Sequence, residues 1–462
     1  MSRSFLTSFA RAERTRYEGL LRELVEIPTV SADPSRKKDI LRAAEFAADT
    51  IHSFGGTARV LRPAAGHPIV HGAFHHPKAK RTITLYNHLD VQPASVESEP
   101  WRTHPFRLVV RDGRYFGRGT TDDKGPALAA LFGVRAAREC GVPLNIHLLW
   151  EFEEEIGSPS LERVVAREGR RLRTNAVVVS DTGWISRRIP SVPSGLRGMQ
   201  GFSFELVTGK EDRHSGDVGG AARNPIGELL ELMYQIHDAK TGRVKIPGFY
   251  KRVIPPSRRE LEDFVASGFS VAAFKRDNVL TRLRTEEPLD VMKRIWAAPT
   301  FEVHGVEGGY VGPGLKAVVP HRAVVKASCR LVPDQEPEEI VGLVKAFARK
   351  WNKDVVVRPN GSSPPFRGLT TGPEAEALKR ALAFAFGRKP VFVRDGGAIG
   401  AAVILRKLLA CPVMFLGLSL PEHGYHAPNE NFDWRQASGG MLAFAAYLEE
   451  MSRIGTGSGP SA

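Results

Sequence analysis

LNIHLLWEFEEEIG, residues 144–157, carries the pattern that decides the fold. Leu144 to Trp150 is a β-rich apolar run, and it breaks into Glu151, Glu153, Glu154 and Glu155, four acids in five positions. Segments of the same kind recur at Ile83–Tyr86, Ala176–Val179 and Val413–Leu416, with helical stretches between them. Strands alternating with helices predict an α/β fold. In open sheets of that class, sites gather at the C-terminal ends of the strands, where loops and helix N-termini converge. The polar residues at those ends are therefore the ones to read for chemistry.

Working outward, Phe5, Phe9, Leu20, Leu21, Leu24 and Val25 follow a helical period up to Ile27-Pro28, predicting one amphipathic helix at the start. Between about Pro190 and Thr370 the texture changes to alternating strands and two helices, with Gly-rich turns at Gly308-Gly309 and Gly312-Pro313-Gly314. A helix over Glu374–Phe386 and a strand over Pro390–Val393 then return the chain to its first unit. At 462 residues the chain exceeds what one core sustains. The division expected is residues 1–189 and 371–462 for one domain and 190–370 for an inserted second domain, with 455–462 a disordered tail.

Composition narrows the class. Hydrophobic residues make up 42% and charged residues 25%, ordinary for a soluble globular protein. The net charge of +14 raises the question of nucleic acid or an anionic membrane. The basic residues lie in short clusters such as Arg170, Arg171 and Arg173, without the interleaved aromatics of a single-strand binding surface, so a solvated basic surface is expected and neither partner. Cys140, Cys329 and Cys411 stand far apart with no CxxC spacing, which fits a reducing compartment. No apolar run approaches the roughly 18 residues of a membrane span, and charges interrupt the N-terminus where a signal peptide needs an apolar stretch. A cytoplasmic location is expected.

The strand ends are unusually rich in ligand-type side chains. His88-Leu89-Asp90 follows the strand ending at Tyr86, and alternate residues there point the same way, so imidazole and carboxylate can meet. GRGTTDDKG (117–125) places Asp122 and Asp123 before an Ala- and Leu-rich helix, where helix capping is the plainer explanation. The acids at 151–155 repel one another and call for something positive. Asp181 ends the strand Ala176–Val179, and His426 follows the last strand. Each motif alone is unremarkable. Together they offer imidazole and carboxylate donors without thiolate, a set that suits a pair of divalent ions such as Zn, Mn or Co, with a water activated between them.

In order and spacing, His88-x-Asp90, GRGTTDDKG, EEEIGS, Ser180-Asp181 and HAPNE resemble the motifs of the M20 metallopeptidase family, and within it the carnosinase-like cytosolic nonspecific dipeptidases. The resemblance runs from LVEIPTVS (24–31) to GYHAPNENF (424–432). It implies a catalytic α/β sheet domain of the zinc-exopeptidase kind and an inserted α+β lid and dimerisation domain. It further implies that His88 and Asp181 bind one metal, that Glu155 and His426 bind the other, and that Asp122 bridges them, with Zn the first expectation and Mn or Co the alternatives. Glu154 would be the general base, Asp90 would orient His88, and Asp122-Asp123 would be a cis peptide. Arg213-His214-Ser215-Gly216 resembles the segment whose histidine reaches the active site of a partner subunit, so a homodimer is implied, with His214 as oxyanion donor. Arg330 matches the arginine that grips the free substrate carboxylate, and Asn224, Gly396 and Gly397 match pocket segments.

Two positions depart from the family pattern. Where it has KTVIP and GGSIP, this chain has KAVVP (316–320) and GGAIG (396–400), so two hydroxyl donors are replaced by Ala317 and Ala398. Dipeptide hydrolysis is the first reading, on peptides with a free carboxylate. An N-acyl amino acid or related amidohydrolase is the alternative that the two alanines leave open. A catalytically dead relative would have lost a ligand or the base, and this chain has lost neither. His423 has no counterpart in the motif and reads as a loop residue; His104, His147 and His304 are unassigned.

Overall fold

The computed structural model describes residues 1–455. A six-stranded sheet runs in the order Thr57–Leu61, Ile69–Phe74, Asn145–Glu151, Thr82–His88, Ala176–Val179, Val413–Phe415. The first two junctions are antiparallel, and Thr82–His88 lies parallel to both its neighbours, as does Val413–Phe415 to Ala176–Val179. All four strands expected from their apolar runs are present. They are buried on both faces, which explains why they read as continuous apolar stretches with no alternation.

Helices supply that burial. Lys124–Glu139 packs against Trp434–Arg453, which also packs on Pro373–Phe386, while Lys37–Ser53 lies over Thr57–Leu61 and Ile69–Phe74. Lys124–Glu139 is apolar nearly all round, as a helix enclosed by other elements should be. The single N-terminal helix expected is two, Arg3–Ala12 and Arg14–Val25, which meet at Glu13. Glu13 has ψ near 0°, which turns the chain so that Phe9 and Tyr17 can both enter the core.

The second sheet is antiparallel, in the order Thr300–Glu307, Arg322–Leu331, Gly198–Val207, Val356–Ser363. Pro225–Ile236 and Pro337–Trp351 pack on it around a core of its own that includes Phe202, Phe204, Leu232, Phe301 and Val325. These are the two helices expected. Residues 258–292 add three short ones, Arg258–Ala266, Val271–Asp277 and Pro288–Met292, too polar and brief to show a period in sequence. Ser191–Leu196 belongs to neither large sheet: it pairs with Phe366–Arg367 and, in parallel, with Val391–Asp395, and its Val192 and Leu196 join the first core. The expected tail lies, beyond Gly455, outside the described residues.

Candidate active site

The parallel strands end on one edge, and the predicted ligands meet there. His88 closes the strand Thr82–His88, Asp181 follows Ala176–Val179, and Glu154 and Glu155 form a short turn after Asn145–Glu151. Asp122 comes from the loop before Lys124–Glu139, and the Asp122–Asp123 peptide is cis. Gly125 lets that loop fold tightly, because a Cβ there would stand 2.1 Å from the Thr120 carbonyl oxygen. Neither acid caps the helix: Asp123 makes no side-chain cap bond and instead accepts from Asn87 Nδ2 at 2.7 Å.

Asp122 sits between the two histidines. Its Oδ1 is 2.9 Å from His88 Nε2 and its Oδ2 is 3.0 Å from His426 Nε2. Asp181 Oδ1 lies 3.7 Å from the same His88 nitrogen, and Glu155 Oε2 lies 3.0 Å from the same His426 nitrogen. Two groups offer donor atoms that lie within 4.8 Å of one another: His88, Asp122 and Glu155, and His88, Glu154 and Asp181. His88 Nδ1–H donates to the Asp90 carbonyl oxygen at 3.0 Å, which orients the ring and aims Nε2 at the carboxylates. Burial acts to lower the His88 imidazole, but the charge of Asp181 and hydrogen bonds to Asp122, Asp181 and Asp90 outweigh it and raise it well above its usual range, so Nε2 holds a proton that a bound cation would replace.

Crowding shifts the carboxyl groups as well. Burial, and then the charge of Asp181, push the Glu154 carboxyl well above the usual range; burial likewise raises Asp181, Glu155 and Asp123. Burial also acts to raise Asp122, but hydrogen bonds from His426 and His88 outweigh it and hold that carboxyl low. Hydrogen bonds to Asp122 and Glu155 raise His426 to about 10. Crowded carboxylates, two imidazoles and no thiolate form a donor set that fits a pair of borderline divalent ions. His426 also holds φ at +59°, a sparsely populated conformation for a residue other than glycine.

Asp90 departs from the expected arrangement. Its carbonyl, not its carboxylate, is the nearer partner of His88, the carboxylate Oδ1 standing at 3.5 Å. The carboxylate instead accepts the main-chain N–H groups of Glu154 and Glu155 at 3.2 and 3.1 Å, and so holds the turn that carries them. The acidic run is thereby dispersed: Glu151 is buried against Ser158 Oγ, Glu153 accepts from His67 N and Ser160 N, and Glu154 and Glu155 face the centre.

Several supporting residues carried no signal of their own. Gln92 Nε2 donates to Glu155 Oε2 at 2.8 Å. Glu430 Oε1 accepts from the Thr121 and Asp122 N–H groups at 3.0 and 3.2 Å, while its Oε2 pairs with buried Arg118 at 2.8 Å. Both stand inside the quoted motifs, which is the hint that was available. His423, expected to be a loop residue, is fully buried, its ring 3.0 Å from Thr121 Oγ1 and 3.1 Å from Asp433 Oδ2.

The centre opens into a cleft of about 230 Å³ lined by Asp122, Glu154, Asp181, Gly397, Ala398 and His426 among others. The other expected substrate residues lie on the second sheet or its connections. His214 has a 65% exposed side chain whose Nδ1 accepts from Gly216 N. Asn224 caps Pro225–Ile236, its Oδ1 accepting from Ile226 N and Gly227 N. Arg330 is half-buried in the strand Arg322–Leu331. None of these three is among the cleft-lining residues.

Known proteins agree with this geometry. The family model described as Peptidase family M20/M25/M40 matches residues 84–450. Beta-Ala-His dipeptidase of Homo sapiens is 31% identical, over 93% of this chain and 88% of its own length. Cys-Gly metallodipeptidase dug1 of Schizosaccharomyces pombe is 30% identical, over 94% and 95%. The crystal structure of an M20 family metallo-carboxypeptidase from Sulfolobus solfataricus superposes with a TM-score of 0.84 at 28% identity, covering 94% of this chain and 98% of that one. With its cluster of imidazoles and carboxylates at the strand ends and a family match over most of its length, the chain belongs to peptidase family M20/M25/M40 and is a hydrolase.

Proposed function

We propose that this protein hydrolyses the peptide bond of dipeptides, or of short peptides, beside a free carboxylate. The observation that carries the reading is the position of Asp122, one oxygen toward His88 and the other toward His426, with Glu154 in the same cleft. In this reading His88 and Asp181 hold one divalent ion, Glu155 and His426 hold a second, and Asp122 serves both; Zn is the first candidate, with Mn and Co behind it. Bound there, such ions supply Lewis acidity to the substrate carbonyl and lower the pKa of a water. Glu154 takes a proton from the attacking water and delivers it to the leaving amine. Asp90 keeps Glu154 in place through its main-chain N–H.

Two dipeptidases among the relatives at 30% identity or more support dipeptides over the N-acyl amino acid alternative. We further propose that residues 190–370 form a lid and dimerisation unit between the two parts of a catalytic domain. In the homodimer His214 of one copy reaches the site of the other as oxyanion donor, and Arg330, Asn224, Gly396 and Gly397 border the substrate. The exposure of His214, whose strand pairs with Val318–Val319 a few residues after Tyr310, Val311 and Leu315 at 45%, 93% and 96% exposure, supports a partner on that face. A cytoplasmic location rests on the three unpaired cysteines. No helix among the described residues is long and apolar enough to cross a membrane.

The test is amine release from a panel of free dipeptides and their C-terminal amides, with Zn or Mn supplied. Cleavage of the free dipeptides, abolished by a chelator, is the expected result. Cleavage of N-acyl amino acids in their place would overturn the reading.

A further inference from the structure

Arg197 is a largely buried cation that lacks an acceptor. It links the strands Ser191–Leu196 and Gly198–Val207, and its main-chain N–H donates to the Asp395 carbonyl at 3.2 Å. Among the described residues its guanidinium makes no hydrogen bond and no ion pair, and its Nε is buried without a partner. It lies against Gly396, where a Cβ would come within 3.1 Å of Nη2 and crowd it. The neighbours of that glycine, Asp395, Gly397 and Ala398, line the cleft that holds Asp122, Glu154 and His426.

A second unpaired guanidinium stands close by. Arg330 is opposite Met199 in the antiparallel pair, and Arg197 stands directly before Gly198, where that strand begins, so the two guanidiniums come near enough to repel. Arg330 also makes no side-chain hydrogen bond or ion pair among the described residues. Burial, and then the charge of Arg330, push the Arg197 pKa down to about 10, while Asp395 and Glu302 act on it only from beyond ion-pair distance. A guanidinium keeps its proton, so two of them side by side, one largely and one half buried, are unfavourable until an anion arrives. Ala398 on the cleft wall offers no side-chain donor, and no lysine or arginine among the described residues lines that cleft, so these two are cations near it that lack an anion.

We propose that Arg197 is a specificity-determining residue that, beside Arg330, receives the carboxylate of the residue on the leaving side of the scissile bond. The assignment rests on the peptidase reading of this cleft for its choice of anion.

The experiment compares metal-loaded wild type, Arg197→Met and Arg197→Lys on one free dipeptide and on its C-terminal amide. Arg197→Met is expected to lower kcat/KM for the free dipeptide by about tenfold to a hundredfold, chiefly through KM, the size of a lost charged hydrogen bond. The amide changes far less, so the preference of the enzyme for the free acid collapses, and Arg197→Lys recovers part of it. Because no partner is lost, the melting temperature of Arg197→Met stays at or above that of wild type. A parallel calorimetric titration with leucine and leucinamide asks the same question without turnover: wild type binds leucine, and Arg197→Met binds it at least tenfold more weakly. Equal losses on acid and amide, a lowered melting temperature with an unchanged acid-to-amide ratio, or undiminished leucine binding by Arg197→Met would overturn the proposal. Wild type that cleaves neither peptide yet binds leucine through Arg197 would sink the dipeptidase reading alone, and wild type that does neither would sink both.

Discussion

The carboxylate of Asp90 accepts the main-chain N–H of Glu155 at 3.1 Å, and with its other oxygen that of Glu154 at 3.2 Å, so one buried acid sets the position of both glutamates. Its carbonyl oxygen meanwhile fixes the ring of His88. Asp90→Ala leaves the His88 contact in place, because that contact is to the main chain, but releases the Glu154–Glu155 turn. Activity is expected to fall about tenfold to a hundredfold, the usual cost of losing a group that orients a metal site. Steady-state kinetics with metal analysis checks this: loss of activity with His88 still able to hold its ion is expected, and unchanged activity would contradict the role.

Arg118 and Glu430 form a buried pair at 2.8 Å, each with a side chain no more than 2% exposed, and Glu430 also holds the N–H groups of Thr121 and Asp122. Glu430→Gln keeps the shape and removes the charge, leaving a buried guanidinium unpaired. Denaturant unfolding is expected to show a loss of about 3–5 kcal/mol. Metal content should fall with it, since the single amide oxygen cannot accept from Arg118 and from the Thr121 and Asp122 N–H groups at once. A loss below about 1 kcal/mol would mean that the pair is dispensable.

His71 and His147 stack edge to face at 4.8 Å in the first sheet, and burial pushes each down to about 4. Both are therefore neutral in the fold at neutral pH, whereas the unfolded chain protonates them below about 6.5. Their stabilising contribution is complete above about pH 6.5 and is lost as pH falls toward 4, by about 2 kcal/mol each at pH 5. Thermal melts at pH 7 and pH 5 test it. The double variant His71→Leu, His147→Leu should lose less stability between those values than wild type, and equal losses would contradict the assignment.

The central strands and the side chains that cluster at their ends could be read from sequence because each is a local signal: an unbroken apolar run, then a polar motif at its end. Glu13 interrupts the first helix without proline or glycine, so nothing local announced the break. Arg258–Ala266 and its neighbours are short and polar, and their packing against Val391–Asp395 is a tertiary matter. Asn87, Gln92 and His423 act through partners dozens or hundreds of residues away, Asn87 on Asp123 and His423 on Thr121. Single polar residues have no period, so such roles emerge only once the chain is folded. Asp90 shows the finer limit: the sequence placed it beside His88, but which of its oxygens does the work depends on the backbone of the turn opposite.

The most direct test of the account is the metal content and dipeptide turnover of Glu154→Ala beside Asp122→Ala, each supplied with Zn or Mn. If Asp122 serves two ions and Glu154 moves the proton, Glu154→Ala retains two ions per chain and loses turnover, whereas Asp122→Ala loses ions and turnover together. Retained turnover in Glu154→Ala, or two ions still bound to Asp122→Ala, would contradict it.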